Sequence, residues 1–229
     1  MPKDSVARAA AVAAAAVLLG LCAASAQAAQ PALTVSYSPG LDTACSLLRS
    51  GTIKDDWKAE LTARQPEFEA LWAANGPKMV AAVEAITGKS VPAGPITARL
   101  SLCDLPSQSI AGISINMRYA LKSFTATPVP MRYKVNTLFH ELLHVFLASH
   151  PVRDSRLLAQ HAAEPERTRD HLHLFALQKA VLLKLGEPEV LQEVIAIDGQ
   201  LPGGYYRRAW EIVNATDTDY LMYVAEVSR

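Results

Sequence analysis

What is scarce in this sequence narrows it first. After residue 28 no apolar run approaches the ~20 residues that a membrane-spanning helix requires. Neither sign of charge is in excess, with 22 Lys and Arg against 22 Asp and Glu. No basic stripe interleaved with aromatic residues appears either, so the footprint of a nucleic-acid binder is missing. Cysteine is rare, three in 229 residues. None of the three stands in Cys-x-x-Cys spacing, which argues against a cysteine zinc site. There are no internal repeats and no low-complexity stretch beyond the alanine-rich start, which argues against a solenoid.

That start has the organisation of a secretory signal. Lys3 and Arg8 precede an apolar run from Ala9 to Ala24, with Val17-Leu18-Leu19-Gly20-Leu21 at its centre. Ala26-Gln27-Ala28 supplies the small residues of a cleavage site. Residues 1–28 are therefore expected to be a signal peptide and 29–229 a single domain. Leu21 is bulky where a lipoprotein signal needs a small residue before its cysteine, so Cys22 is expected to leave with the signal. Cys45 and Cys103 remain, an even pair in an oxidising compartment, and a single disulfide between them is expected. The alanine bias points to a bacterial protein, periplasmic or secreted, with no membrane attachment after cleavage.

The chemistry is concentrated in one stretch, Thr137-Leu138-Phe139-His140-Glu141-Leu142-Leu143-His144-Val145-Phe146-Leu147. Four residues make just over one helical turn, so His140 and His144 lie one above the other on one face. Two neutral imidazoles so placed can share a Zn²⁺ ion. Glu141, beside His140, can reach a water next to that metal and act as its general base. The flanking residues are apolar nearly all round, so the helix belongs in a core. Two histidines and a glutamate buried there without partners would be costly. A shared metal explains them better than coincidence does.

Around this helix the periodicities are mostly helical. Leu33-Thr34-Val35-Ser36-Tyr37 alternates as a short strand. Asp42 to Leu48 forms a helical turn, and helices are expected over residues 53–63, 66–74 and 78–87, punctuated by Pro66 and Asn75-Gly76-Pro77. Residues 96–102 and 113–118 alternate as two half-buried strands, and the 106–112 loop between them suggests an antiparallel pair. An exposed edge there could hold an extended peptide. The central helix should run from after Pro130 to about Ser149, because Pro151 disfavours helix at His150. Further helices are expected over 155–163, 166–185, 189–196, 205–214 and 219–227. The fold class is α+β, mostly helical, with a small antiparallel sheet packed against a buried His-Glu-x-x-His helix.

At His140-Glu141-Leu142-Leu143-His144 the chain resembles the zincin superfamily of zinc metallopeptidases. The resemblance implies a zincin-like domain, a Zn²⁺ cofactor and a third protein ligand with one open position. His150 has the metzincin spacing, but Leu147 stands where that pattern needs glycine for its turn, so the helix should carry His150 away from the metal. The likeness is therefore closer to the gluzincins, whose third ligand is a glutamate in Glu-x-x-x-Asp on a later helix. Glu166-Arg167-Thr168-Arg169-Asp170 has that spacing, although Pro165 replaces the asparagine that often precedes it, and Glu164 lies beside it. On facing alone His171 is the best placed, sharing a helical face with Leu174, Phe175 and Leu182. His171 is thus the first candidate. Glu164 and Glu166 stand as possible third ligands or as groups orienting one, and His150, His161 and His173 rank behind them. The resulting expectation is an exported zinc metallopeptidase acting on a peptide or protein, with Glu141 as general base. A non-catalytic protein with a closed structural metal site and an amidase acting on cell-wall peptides are the alternatives. Tyr205 and Tyr206, after Gly203-Gly204, are candidate donors to a developing oxyanion.

Overall fold

A computed structural model describes residues 33–49, 52–92, 95–110 and 112–229. The expected signal peptide, 1–28, lies outside the described residues. In chain order the elements are β1 (Leu33–Tyr37), α1 (Pro39–Arg49), α2 (Asp55–Thr87), β2 (Ile96–Ser101), β3 (Ile113–Asn116), a 3-10 turn at Arg118–Ala120, α3 (Met131–Ser149), α4 (Arg156–Gln160), α5 (Glu166–Asp170), α6 (Leu172–Lys184), α7 (Pro188–Asp198), α8 (Tyr205–Val213) and α9 (Asp219–Val227). The fold is α+β and mostly helical, with one three-stranded sheet. Among the described residues no helix is long and apolar enough to cross a membrane.

The three helices expected over 53–87 are one. Pro66 and Pro77 both lie inside α2. Each proline removes a backbone hydrogen bond, but the helix gains a continuous buried stripe that includes Trp57, Leu61, Phe68, Trp72, Met79 and Val83. Gly76 is not a terminator. A Cβ there would stand 2.4 Å from Trp72 Cε2, so the glycine makes room for the Trp72 indole to fold back along its own helix. The helix ends at Gly88, whose left-handed backbone (φ 70°) lets its N–H cap the Glu84 carbonyl.

The sheet corrects the sequence reading in its direction. Its order is β1-β2-β3 and both pairings are parallel, with Val35 opposite Ala98 and Leu100 opposite Ile115. The chain therefore has to travel back after β2 before it can enter β3. It does so along the outer edge of β3. Gln108 and Ser114 exchange backbone hydrogen bonds of 3.0 and 2.8 Å as an antiparallel bridge, and Asn116 Nδ2 donates to the Leu105 carbonyl at 2.8 Å. The expected antiparallel pairing of the two strands is not formed, and the antiparallel contact to β3 is this single bridge from the connecting segment. The exposed edge belongs to that segment and not to β3.

Two devices tie α1 to the end of β2. The expected disulfide Cys45–Cys103 is formed, with Cα atoms 5.6 Å apart, which fits an oxidising compartment. Beside it the buried Asp42 accepts from Ser101 Oγ (2.7 Å), the Leu102 N–H (2.9 Å) and Tyr37 Oη (2.8 Å).

α3 and α6 fill the middle of the molecule. α3 presents Leu138, Phe139, Leu142, Leu143 and Phe146 to the core, and in α6 Leu172, Leu174, Phe175, Leu177, Val181 and Leu182 are fully buried. α6 packs against α2, α3, α8 and α9, while α3 also touches β3. The helix expected over 166–185 is interrupted at His171, which separates α5 from α6.

Candidate metal centre

α3 carries His140, Glu141 and His144 into the core, and the α5–α6 junction brings His171 to meet them. The ring centroids lie 4.9 Å apart for His140 and His144, 5.3 Å for His140 and His171, and 5.1 Å for His144 and His171. One imidazole nitrogen from each can be chosen so that all three lie within 4.8 Å of one another. His140 and His171 are buried, and His144 is half-buried, so the cluster is not sealed from solvent.

The polar atoms of this cluster lack partners within the protein. His140 Nε2 and His171 Nε2 are both buried without a hydrogen bond. The Gln178 amide stands close enough to His140 to favour its protonated form, yet not in a geometry that makes a full hydrogen bond, so Gln178 Oε1 is unpaired too. His171 Nδ1, by contrast, is 2.6 Å from the Arg167 carbonyl oxygen. It must donate there, which leaves the Nε2 lone pair free. Buried unpaired imidazole nitrogens are costly, and a shared cation satisfies them together. The residues present fit a metal ion.

Their electrostatics fit as well. Burial, followed by the neighbouring His171 and His144, holds His140 well below the ordinary imidazole range. Burial and His171 lower His144 to about 4. Burial also lowers His171, against the opposing pull of the Arg167 carbonyl. All three are therefore neutral at pH 7, the form that ligates. Burial raises the Glu141 carboxyl to about 7, opposed by a hydrogen bond from Ser109. Ser109 comes from the segment that returns along β3, so that segment passes directly beside Glu141.

Aromatic rings support the cluster. Tyr206 lies 4.6 Å from the His171 ring and 5.7 Å from His140. Burial raises its phenol, helped by Glu141 and Asp198. Phe175 sits 5.6 Å from His140 and 5.4 Å from His171, and stacks on Trp210 at 4.2 Å with the planes 6° apart. Trp210 Nε1 donates to Asp198 Oδ2 at 2.9 Å, and Tyr133 Oη donates to Asp198 Oδ1 at 2.7 Å. One buried carboxylate thereby joins α3, α7 and α8 behind the cluster.

The remaining candidates lie elsewhere. Glu164 accepts from Arg208 at 2.6 and 3.0 Å, and Glu166 is exposed in the first turn of α5. His150 caps α3 and bonds Ser149 Oγ and the Phe146 carbonyl. His161 caps α4. His173 Nε2 pairs with Glu226 at 2.9 Å, and Ser155 Oγ donates to the same carboxylate oxygen, which fastens α9 to α4 and α6. Of the two tyrosines, Tyr206 faces the histidines, while Tyr205 takes a hydrogen bond from Arg167 at 3.3 Å. Ser109, Gln178 and Asp198 escaped the sequence reading. Gln178 alone had a signal, two helical turns beyond His171 on the same face. Comparison of the chain with protein-family models and curated proteins, and of its fold with solved structures, finds no match.

Proposed function

We propose that this protein is an exported zinc-dependent metallopeptidase of the zincin type. The observation that carries the reading is the cluster itself, three neutral imidazoles each offering a nitrogen within 4.8 Å of the others, two of their buried nitrogens unpaired, next to a buried glutamate. His140, His144 and His171 would hold the ion. When bound, zinc supplies Lewis acidity, polarising a carbonyl and acidifying a water.

The chain's own residues account for the rest. Glu141, beside the cluster, accepts a proton from water and returns it to the leaving amine. The Tyr206 hydroxyl, kept protonated by burial, is a donor for charge developing on the carbonyl oxygen. The segment 105–110 offers its outer backbone edge to an extended substrate beside Glu141. The same chemistry serves an amide in a cell-wall peptide, so the substrate panel below includes both. A closed four-ligand site completed by Glu164 is disfavoured because that carboxylate is engaged by Arg208.

The test is metal analysis joined to hydrolysis. Wild type is expected to carry about one zinc per chain and to cleave members of a panel of peptides and cell-wall peptide fragments. His140→Ala should lose the metal. Glu141→Gln should keep it and lose on the order of 10²–10⁴ in rate. A wild-type protein that takes up no zinc after reconstitution sinks the reading, and so does a fully active Glu141→Gln.

A further inference from the structure

Among the described residues Arg167, beside the cluster, is held by an aromatic ring and has no carboxylate partner. Arg167 lies in the first turn of α5, exposed, and its guanidinium rests 5.3 Å from the centre of the Tyr205 ring while donating to Tyr205 Oη at 3.3 Å. Tyr205 in turn contacts Tyr206 at 5.2 Å, and Tyr206 packs on His171 at 4.6 Å. The Arg167 backbone carbonyl also holds the His171 ring. The Arg167 side chain is thus held on Tyr205, next to Tyr206 at the rim of the site.

Of the neighbouring arginines, Arg169 on the same short helix also lacks a carboxylate partner, but it is half-buried, with its Nε buried and without a hydrogen bond. Arg208 is neutralised by Glu164 and Glu211. Arg207 faces away, lining a cavity with Ile195, Gly199, Trp210, Glu211 and Asn214. Among the described residues no carboxylate pairs with Arg167. Glu166 and Asp170 flank it on its own helix, both exposed and neither within ion-pair distance of its guanidinium. An arginine whose planar fork is held on an aromatic ring, with donors left over, is a ready receptor for a carboxylate.

We propose that Arg167 sets substrate choice, anchoring a carboxylate of the substrate next to the bond presented at the His140, His144 and His171 cluster. The inference rests on reading that cluster as the working site, and it names the substrate class as acidic peptides. The carboxylate can come from a glutamate or aspartate side chain or from a free chain terminus. Arg167 acts here as a specificity residue, since it reaches the substrate away from the reacting bond.

Calorimetric binding to the zinc-reconstituted full chain tests this, with Glu141→Gln as the background in every arm so that no probe is hydrolysed. Three probes are compared: acetyl-Ala-Ala-Glu-amide, acetyl-Ala-Ala-Gln-amide and acetyl-Ala-Ala-Ala with a free carboxylate. The protein with Arg167 intact is expected to bind one of the acidic probes roughly tenfold tighter than the glutamine probe, as one charge-assisted pair provides. Which acidic probe wins identifies the source of the carboxylate. Arg167→Gln should bring the ratio close to one at unchanged zinc content, because the carbonyl that holds His171 is retained. Arg167→Lys should keep part of the preference. Equal binding of all probes with Arg167 intact, no binding of any, or a preference that survives Arg167→Gln overturns the proposal. A preserved, Arg167-dependent preference in a protein whose wild type hydrolyses nothing would remove only the peptidase reading.

Discussion

The imidazole of His171 takes the carbonyl oxygen that its own backbone N–H would take in an α-helix. His171 Nδ1 bonds Arg167 O at 2.6 Å, while the His171 N–H turns to Thr168 O at 3.2 Å. The helix breaks at that point into α5 and α6, and the break aims Nε2 at His140 and His144. The same contact explains both the interruption and the orientation.

The partners of the ligand rings should matter to metal affinity nearly as much as the rings do. With the metal bound Gln178 is expected to close its hydrogen bond to His140, so Gln178→Ala should weaken zinc binding by about 10–100-fold, the usual cost of losing a group that orients a ligand. Glu164→Ala and Glu166→Ala should leave it unchanged. Competition against a chromogenic chelator measures all three.

Asp198 should make stability fall as pH rises. Burial lifts its carboxyl from 3.8 to about 6, against the hydrogen bonds from Trp210 and Tyr133. Between those values the folded state keeps a proton that the unfolded chain has released, so this group's contribution is greatest below the lower value and is lost through the upper one. The full change is about 3 kcal/mol. Relative to wild type, Asp198→Asn should therefore gain stability by up to that amount between pH 4 and 7. Urea unfolding across the range decides it, and parallel curves for the two proteins would refute it.

Lys134 works in the opposite sense. It is buried in the first turn of α3, and burial lowers its ammonium to about 8. Below that value it is charged in both states and costs the folded protein about 3 kcal/mol. Above it the folded state releases its proton before the unfolded chain does, so the cost fades as pH climbs toward the ordinary lysine value. Lys134→Met should raise stability at pH 7 by up to about 3 kcal/mol, with a smaller gain near pH 10. Thermal melts at the two pH values check it.

Removing the disulfide should be expensive. A cross-link closing 58 residues is worth roughly 4 kcal/mol by loop entropy. The Cys45→Ser, Cys103→Ser double variant is expected to unfold at correspondingly lower urea, while Asp42 still holds α1 against β2.

Much of this was legible in the residues. The apolar surroundings of His140 and His144 announced a buried helix, and α3 runs where Pro130 and Pro151 bound it. Facing alone singled out His171, although the helix was expected to be unbroken there, because side-chain competition for one carbonyl leaves no mark on periodicity. Pro66 and Pro77 misled, since a breaker's cost is local and the packing of Trp57, Phe68 and Trp72 is not. Alternation located both later strands but not their relative direction, which depends on the path taken by residues 102–112. Ser109 lay hidden for the same reason, its place beside Glu141 being set by that path.

The two cross-links, one present and one proposed, enclose separate parts of the chain. The disulfide spans 45–103 and the histidine cluster spans 140–171. The loops do not overlap in sequence, but α2, which lies inside the first, packs against α3 and α6, so the two should be coupled through it. Reductant should loosen the half built on α1 and the sheet, and chelator the half built on α3 and α6. On the proposal that the protein is exported, a chain arriving unfolded would need two things from its surroundings, an oxidant and a metal, and whichever it took first would favour the other.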